Sequence, residues 1–412
     1  MKSAISFAID TKCGEIMRAG KITTPHGVIE TPAFVAVGTQ ATVKSVTPEQ
    51  IKSTGIQTVL GNTYHLYLEP GEKIVGGAGG IGKYMGWEGP TFTDSGGFQI
   101  FSLGAGFGGG EHTKFISKKE FDEHTHTAVL FDENIATMHG KLAQIDEEGV
   151  TFTSHVNGTL HRFTPERSIE IQHALGADIF FAFDECTSPT ASYEYQKQAM
   201  GRTHEWARRS LSTHRQNIGA GEKQAIFGIV QGGPYEDLRK ESAEVIGEMD
   251  FDGYGIGGSF TKEEIGAALS WVTPYLSEEK PRHLLGIGEP LDFFTGVEGG
   301  GDTFDCVLPT RLGRTGTVFT KRGKMNLKKP EYREDFSPID ENCDCYTCRT
   351  FTRSYLNHLF HAKEMLGGTL LSIHNLYFTA HLVDGIRQAI IDDSYNAYKE
   401  NFIRAWGGGR VE

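Results

Sequence analysis

Residues 225–230 read AIFGIV, and Gln231, Gly232 and Gly233 follow directly. A short run of apolar and β-branched residues that ends in glycines is typical of a buried strand followed by a tight turn. Seven further apolar or aromatic runs recur along the chain, separated by helix-like stretches: Phe34–Val37, Thr58–Leu60, Thr91–Thr93, Asp178–Phe183, Gly253–Ile256, His283–Ile287 and Thr303–Leu308. This alternation predicts an α/β fold, a (β/α)8 TIM barrel, whose functional residues gather at the mouth formed by the carboxyl ends of the strands.

Two stretches outside this alternation predict β-structure added to the barrel. Residues 5–30 predict hairpins that form an N-terminal β cap. Val150–Val156 and Thr159–Phe163 flank Asn157-Gly158, a pair that predicts a hairpin with a type I′ turn.

The composition indicates a globular protein with a local basic surface. Of the 412 residues 38% are hydrophobic, enough for a substantial core, and no apolar run approaches the roughly 20 residues of a membrane helix. We therefore expect a soluble protein with no membrane partner. Only six cysteines occur, three of them clustered and three widely scattered, which indicates a reducing, cytoplasmic setting. The net charge of −13 argues against a nucleic-acid partner, but the strip from Arg311 to Arg333 holds eight lysines and arginines and one acid, Glu331. This strip predicts contact with a polyanion, the alternative being a solvated lysine-rich loop.

Three thiols lie within six residues at Cys343, Cys345 and Cys348, and one isolated candidate ligand, His374, follows. Three cysteines and a histidine are a ligand set of tetrahedral zinc. Zinc held by three of them would keep an open position for chemistry, whereas zinc held by all four would be structural. Taken alone, His374 is more often a helix histidine than a ligand.

Polar side chains follow or lie within five of the predicted strands: Asn62, Asp94, Asp184, Gln231 and Asp305. Three carboxylates and two amides would therefore converge on one mouth. Two carboxylates that face one scissile bond suit glycosidic chemistry, one as nucleophile and the other as acid/base. A carboxylate beside an amide suits guanine, whose ring N–H and exocyclic amine donate while its carbonyl oxygen accepts.

Each of these residues also has an ordinary structural interpretation. A single Asp at a strand end is commonly an N-cap or loop residue, and Gln231-Gly232-Gly233 alone predicts only a tight turn. Phe98 offers a face on which a base can stack, worth about 1 to 3 kcal/mol, although an isolated Phe is more often part of a core. The joint pattern favours the catalytic interpretation.

A family resemblance rests on six motifs: Val37–Lys44, Gly61–Leu66, Thr93–Gln99, Phe183–Cys186, Phe304–Arg311 and the cysteine cluster with His374. With these motifs the chain resembles bacterial tRNA-guanine transglycosylase, the queuine tRNA-ribosyltransferase. The resemblance covers nearly the whole chain except residues 104 to about 145, and six motifs in this order are highly specific. It implies exchange of the guanine at the wobble position of tRNA, in queuosine biosynthesis.

The resemblance implies a double displacement with net retention. Asp305 would attack the anomeric carbon of the wobble guanosine, so that guanine leaves and a covalent ribosyl-enzyme forms. A 7-deazaguanine would then attack in turn, with 7-aminomethyl-7-deazaguanine favoured because Cys186 resembles the bacterial enzymes. Asp94 would be the general acid/base, and no redox cofactor is needed.

The resemblance also assigns substrate contacts and the metal. The base would be held by six residues: Asp184, Gln231, Gly258, Ser259, Phe98 and Leu285. The tRNA would contact four basic residues: Arg311, Arg314, Lys321 and Arg322. One structural zinc per chain would have four ligands: Cys343, Cys345, Cys348 and His374. The family further suggests a homodimer, with Tyr355 and His358 in the segment that forms the dimer contact.

The expected organisation is one catalytic barrel domain over residues 1–412. Residues 104–145 would be an insertion that forms a lid or an added tRNA or subunit contact. Its segment Asp122–His126 could ligate a metal, although such a segment is usually solvated surface. Residues 315–374 would carry the basic strip and a zinc-binding subdomain, and residues 375–405 the final barrel helix.

The chain departs from the family's usual pattern at Ser259-Phe260-Thr261, which lines the pocket around the 7-substituent, and at Glu289, where a lysine is usual. The alternatives are a queuine-salvaging enzyme with the same mechanism, an archaeosine-type enzyme, a zinc hydrolase and a non-catalytic tRNA-binding partner subunit. The joint presence of Asp94, Asp184 and Asp305 argues against the last of these.

Overall fold

The computed structural model describes residues 3–104, 143–154, 156–217, 219, 223–257 and 264–407. In these ranges the strands are β1 Ser6–Cys13, β2 Met17–Thr24, β3 Gly27–Thr31, β4 Ala33–Val37, β5 Thr58–Gly61, β6 Thr91–Thr93, β7 Ala143–Asp146, β8 Gly149–Thr153, β9 Leu160–Phe163, β10 Ile179–Phe181, β11 Ala225–Val230, β12 Gly253–Ile256, β13 Arg282–Leu285, β14 Thr303–Cys306, β15 Thr317–Thr320 and β16 Gly323–Asn326. The helices are α1 Pro48–Ser53, α2 Thr63–Leu68, α3 Glu72–Gly77, α4 Ile81–Met85, α5 Gly97–Gly104, α6 Pro165–Leu175, α7 Tyr193–Gln216, α8 Glu236–Glu248, α9 Ile265–Val272, α10 Pro290–Glu298, α11 Leu308–Thr315, α12 Tyr346–Thr350, α13 Arg353–His361, α14 Met365–Ile391 and α15 Tyr395–Gly407, with 3-10 turns at Thr273–Tyr275 and Pro330–Tyr332.

Eight parallel strands close into a barrel in the order β4, β5, β6, β10, β11, β12, β13, β14. The predicted (β/α)8 barrel and its eight strands are therefore confirmed. Because the strands are parallel, their carboxyl ends share one end of the barrel, the barrel mouth. Below the mouth the interior is filled by aromatic side chains, with ring centroids 6.4 Å apart for Phe92 and Phe181 and 5.8 Å apart for Phe181 and Phe227.

Three barrel strands end earlier than predicted, each for a local reason. The N–H of Phe183 donates to Ser210 Oγ of α7 at 3.2 Å, so β10 ends before this residue. β13 ends before Gly286, where a φ of +83° turns the chain. Leu308, predicted within the last strand, instead begins α11.

The predicted N-terminal β cap is an antiparallel sheet of β1, β2 and β3. Its Ile22 and Ile29 are fully buried in the same apolar cluster as the barrel interior. Arg18 forms a two-point ion pair with Asp302, with atom separations of 2.9 and 2.6 Å, and both side chains are buried. Because Asp302 immediately precedes β14, the cap closes the end of the barrel opposite the mouth.

The predicted hairpin is present as β8 and β9, which pair antiparallel beside β7. Its two-residue type I′ turn was a wrong prediction, because six residues separate Thr153 from Leu160. Most of the predicted insertion, including Asp122–His126, lies outside the described residues, and residues 143–145 belong to β7.

Helix α14 connects the cysteine cluster with the barrel. His374 lies in its first half, and the Arg387 guanidinium near its end donates to the backbone oxygens of Gly20 and Thr31 at 3.2 and 2.7 Å. The predicted boundary after residue 374 falls inside this helix, and residues 375–405 comprise its remainder with most of α15. Within the described part of the chain, none of the helices has both the length and the apolar character needed to span a membrane.

Candidate active site at the barrel mouth

The first carboxylate of the mouth belongs to Asp94, which directly follows β6. Its Oδ1 accepts a hydrogen bond from the Thr63 N–H at 2.8 Å, and its Oδ2 accepts one from the Gln99 side-chain amide at 2.8 Å. The side-chain amide of Asn62, at the end of β5, also donates to Oδ2. Donors on both oxygens fix the plane of this half-buried carboxylate.

The second carboxylate, Asp184, forms a buried pair with Gln231, the two residues being 5% and 4% exposed. Oδ1 of Asp184 accepts from Ser95 Oγ at 2.7 Å, and Oδ2 accepts from Gln231 Nε2 at 2.7 Å. Oε1 of Gln231 is buried and has no hydrogen-bond partner among the residues that the structure describes. An unsatisfied buried acceptor costs about 1 to 3 kcal/mol, so this atom suits a ligand N–H.

The surroundings of Gln231 depend on Gly257 and on a buried arginine, Arg239, that no motif in the sequence marks. A Cβ at Gly257 would lie 2.6 Å from Gln231 Nε2 and would displace the amide. Arg239 of α8 is fully buried and donates to the backbone oxygens of Gly233 and Gly257, both at 2.8 Å. It thereby joins the turns that follow β11 and β12. Burial lowers the pKa of Arg239 to about 9, so the guanidinium stays charged at neutral pH.

The third carboxylate, Asp305, lies within β14, three strands from β6 around the barrel. Its Oδ1 accepts from the Gly286 N–H at 3.0 Å and lies 3.1 Å from His283 Nε2. The side chain of Asp305 is 15% exposed, whereas that of His283 is fully buried. In the sequence, His283 has only the pattern of the first residue of a strand, which carries no signal of this contact.

The two residues predicted to sandwich the base line different parts of the mouth. Phe98 of α5 is half-buried and packs against the apolar cluster that contains Cys186. Leu285, at the end of β13, is buried and belongs to the barrel-interior cluster. The predicted base-binding residues Gly258 and Ser259, and the neighbouring Phe260, lie outside the described residues.

The predicted tRNA-binding residues follow Asp305 along the chain: Arg311 and Arg314 in α11, and Lys321 and Arg322 at the turn between β15 and β16. All but Arg311 are exposed, and Arg311 is half-buried. Desolvation and the nearby Arg311 charge lower the pKa of Arg314, so the two guanidinium groups repel each other. Glu289, the departure noted in the sequence, lies 2.6 Å from the ammonium of Lys324 in the same strip.

The four predicted metal ligands meet in the core of the C-terminal segment. The sulfurs of Cys343, Cys345 and Cys348 lie 3.8, 3.5 and 3.3 Å from His374 Nδ1, and all four ligand atoms lie within 4.8 Å of one another. Zn–S bonds of about 2.3 Å and Zn–N bonds of about 2.1 Å at tetrahedral angles place sulfur and nitrogen about 3.6 Å apart. The spacing therefore fits a tetrahedral ion.

Hydrogen bonds made by the ligand residues favour binding of a cation. His374 Nε2 lies 2.7 Å from the backbone oxygen of Phe319, so Nε2 carries the hydrogen and Nδ1 presents its lone pair to the sulfurs. Hydrogen bonds from Cys343 and Cys348 lower the pKa of the Cys345 thiol, and a thiolate is the metal-binding form. The cluster can therefore bind a metal ion, and its ligand set is consistent with zinc.

The fold and the site together define a (β/α)8-barrel enzyme with carboxylates at its mouth and a separate Cys3His cluster. The family model described as queuine tRNA-ribosyltransferase matches residues 13–128 and 119–408. The chain is 47% identical over 398 residues to the queuine tRNA-ribosyltransferase of Caldanaerobacter subterraneus subsp. tengcongensis, an alignment that covers 96% of each chain. It is 49% identical over 393 residues to the protein of that name from a Thermoanaerobacter species, which covers 95% of this chain and 94% of that one. For the Streptococcus mutans protein of the same name, identity is 45% over 398 residues, covering 96% of this chain and 94% of that one.

The chain therefore belongs to the queuine tRNA-ribosyltransferase family. It is accordingly an enzyme of the pentosyltransferase class, and the predicted family resemblance is confirmed.

Proposed function

We propose that this protein replaces the wobble guanine of tRNA with a 7-deazaguanine, most favourably 7-aminomethyl-7-deazaguanine, by double displacement in queuosine biosynthesis. The observation that carries the proposal is the position of Asp94 and Asp305 at the carboxyl ends of β6 and β14, with the buried Asp184–Gln231 pair at the same mouth. Family membership indicates the class of reaction, and the proposal assigns a role in that reaction to each of these side chains.

Asp305 is the nucleophile in this proposal. Its carboxylate attacks C1′ of the wobble ribose, the bond from C1′ to the base nitrogen breaks, and the electron pair of that bond leaves with guanine. Protonated Asp94 donates a proton to the departing base, so that guanine leaves in its neutral form. The incoming 7-deazaguanine then gives its N–H proton to Asp94 and attacks C1′, which releases the Asp305 carboxylate. Two inversions at C1′ give net retention.

Base recognition falls to the Asp184–Gln231 pair with Gly258 and Ser259. The Asp184 carboxylate accepts from the ring N–H and the exocyclic amine, which only a guanine-type edge offers together. The Oε1 of Gln231, which has no partner within the described part of the chain, supports this role, because a bound base can bring it a donor or reorient the amide. The backbone oxygen of Ser259 receives the aminomethyl group, and Phe98 and Leu285 contact the faces of the ring.

The basic strip provides the tRNA surface. Because α11 begins two residues after β14 ends, Arg311 and Arg314 are carried close to Asp305 along the chain. These residues, with Lys321 and Arg322, hold anticodon-loop phosphates while the mouth reads the base. In the proposal the Cys3His cluster holds one structural zinc that stabilises the segment beyond this strip, and the enzyme acts as a homodimer.

The test supplies unmodified tRNA with labelled guanine, the aminomethyl base, the cyano base or queuine in separate reactions. We expect incorporation of guanine and the aminomethyl base, together with a covalent enzyme–tRNA adduct on denaturing gels. Asp305→Asn should abolish both exchange and adduct, because an amide oxygen is a poor nucleophile, whereas Asp384→Asn on the exposed face of α14 should change neither. An adduct of full yield from Asp305→Asn would refute the nucleophile, and incorporation of queuine in preference to the aminomethyl base would select the queuine-salvaging alternative.

A further inference from the structure

The proposed nucleophile has a buried neighbour on the adjacent strand. His283 of β13 is fully buried, and its Nε2 lies 3.1 Å from Asp305 Oδ1. We infer that His283 is a positioning residue, which together with the Gly286 N–H holds the Asp305 carboxylate in the orientation for attack on the ribose. This inference rests on the proposed function, since it assigns His283 a role in that reaction.

The register of the barrel places the two side chains together. In the parallel pair β13–β14, His283 lies opposite Thr303 and Leu285 lies opposite Asp305. Residues two apart along a strand share one face, so His283 and Asp305 both point to the barrel interior, one step apart in depth. His283 lies deeper in the barrel than Asp305, and its imidazole approaches Oδ1 of Asp305 from below. The Gly286 N–H, in the turn that follows β13, donates to the same oxygen at 3.0 Å.

The imidazole is itself fixed on its other sides. Its Nδ1 lies 2.9 Å from Thr303 Oγ1. The centroid of its ring is 5.5 Å from that of Phe92 and 5.1 Å from that of Phe181. A carboxylate only accepts hydrogen bonds, so Nε2 is the donor in either protonation state of the ring. A donor that is locked before substrate arrives is what a nucleophile needs in order to avoid reorganisation during attack.

Two substitutions distinguish a positioning role of His283 from a purely structural one. His283→Phe keeps a ring of similar size between Phe92 and Phe181 but removes the donor, and His283→Gln keeps a donor at a similar reach. We expect His283→Phe to lower kcat for guanine exchange by about 10- to 100-fold, the value of one hydrogen bond to a charged group. KM for guanine should be unchanged, because the Asp184–Gln231 pair is intact. His283→Gln should recover most of the lost kcat.

The experiment measures kcat and KM for guanine exchange into tRNA, the single-turnover rate of adduct formation, and the thermal midpoint of each variant. His173→Phe is the matched control: it removes a half-buried histidine of α6 and should keep wild-type kcat. Wild-type kcat in His283→Phe would overturn the inference. So would an equal loss in His283→Phe and His283→Gln, because that result would indicate a packing role.

The experiment distinguishes failure of the proposed function from failure of the inference about His283. If the wild-type enzyme neither exchanges guanine nor forms an adduct, the proposed function fails, whereas normal wild-type activity with an unaffected His283→Phe overturns only the inference. If His283→Phe does not fold, Thr303→Val tests the inference through the orientation of the ring, because it is isosteric and removes the hydroxyl that holds Nδ1. Its kcat should fall with KM unchanged, and a wild-type kcat would contradict the inference.

Discussion

At the scale of single residues, the carboxylates proposed for base recognition and for bond exchange have separate hydrogen-bond partners. Asp184 hydrogen-bonds to Ser95 and Gln231, whereas Asp305 hydrogen-bonds to Gly286 and lies against His283. Because the two carboxylates have different neighbours, a substitution at one leaves the contacts of the other in place. Their proposed roles can therefore be measured independently.

Asp184→Ala should chiefly lower affinity for the base and selectivity for guanine. Loss of a charged acceptor that binds two donors costs about 1.5 to 3 kcal/mol per hydrogen bond, which corresponds to at least a tenfold rise in KM for guanine. The preference for guanine over hypoxanthine, which lacks the exocyclic amine, should fall as well. Competition between the two labelled bases for incorporation into tRNA measures both effects. Unchanged guanine exchange by Asp184→Ala would contradict the assignment, and Asp184→Asn controls for the cavity that the alanine leaves.

The residues of the mouth differ in how far the sequence predicts them. Asp94, Asp184 and Gln231 follow apolar runs directly, so strand periodicity alone places them at one end of a parallel barrel. His283 carries no such signal, because a histidine inside an apolar run has the pattern of a core residue. Its contact with Asp305 depends on the register between two strands separated by a helix, and that register is set by packing of the whole barrel.

At the scale of elements, strands were predictable where burial forces an apolar run, whereas the ends of β10, β13 and β14 were not. The end of β10 depends on the Phe183 N–H, which donates to a serine on a helix rather than to the next strand. The connection between β8 and β9 contains Asn157-Gly158 but spans six residues, within which the Ser154 N–H donates to the Thr159 oxygen and the Gly158 N–H to the Ser154 oxygen. The end of β10 thus depends on a contact between elements, and the β8–β9 connection on hydrogen bonds that span more residues than the Asn-Gly pair.

The stability of the C-terminal segment should depend on the proposed metal. The ligand cluster lies in a separate apolar core, which includes Val318, Leu327, Leu356 and Leu370. We expect one zinc per chain in the wild type and much less in Cys345→Ser, because a serine hydroxyl does not replace a thiolate ligand. Loss of a structural metal destabilises by about 4 kcal/mol or more, so this segment should unfold first.

Elemental analysis and limited proteolysis with mass mapping measure these two effects. Cys13→Ser, which alters a cysteine outside the cluster, is the matched control and should keep both the metal and the proteolytic pattern. Retention of one zinc per chain by Cys345→Ser would show that the ligand set is wrong. New cleavage sites in the barrel rather than after residue 315 would contradict the assigned structural role.

At the scale of the whole molecule, an acidic chain presents two unlike surfaces near its C-terminus. One is the basic strip. The other is an aromatic patch, whose ring centroids are 5.7 Å apart for Tyr346 and Phe351, 5.3 Å for Phe351 and Tyr355, and 6.5 Å for Tyr355 and His358. Tyr346 and Tyr355 are 48% and 39% exposed. Contiguous exposed aromatic side chains are typical of protein interfaces, which agrees with the homodimer proposed through Tyr355 and His358.

Sedimentation velocity over a range of protein concentrations tests this interface. We expect the wild type to sediment as a dimer and Tyr355→Glu to shift toward the monomer, because a carboxylate in an apolar contact loses hydration without gaining a partner. Loss of a central tyrosine costs about 2 kcal/mol or more, a rise of roughly 30-fold in the dimer dissociation constant. Tyr84→Glu places the same charge at a tyrosine of α4 that is 41% exposed and should leave the dimer intact. If Tyr355→Glu sediments as the wild type does at every concentration, the aromatic patch is not the subunit contact, whatever the oligomeric state of the wild type.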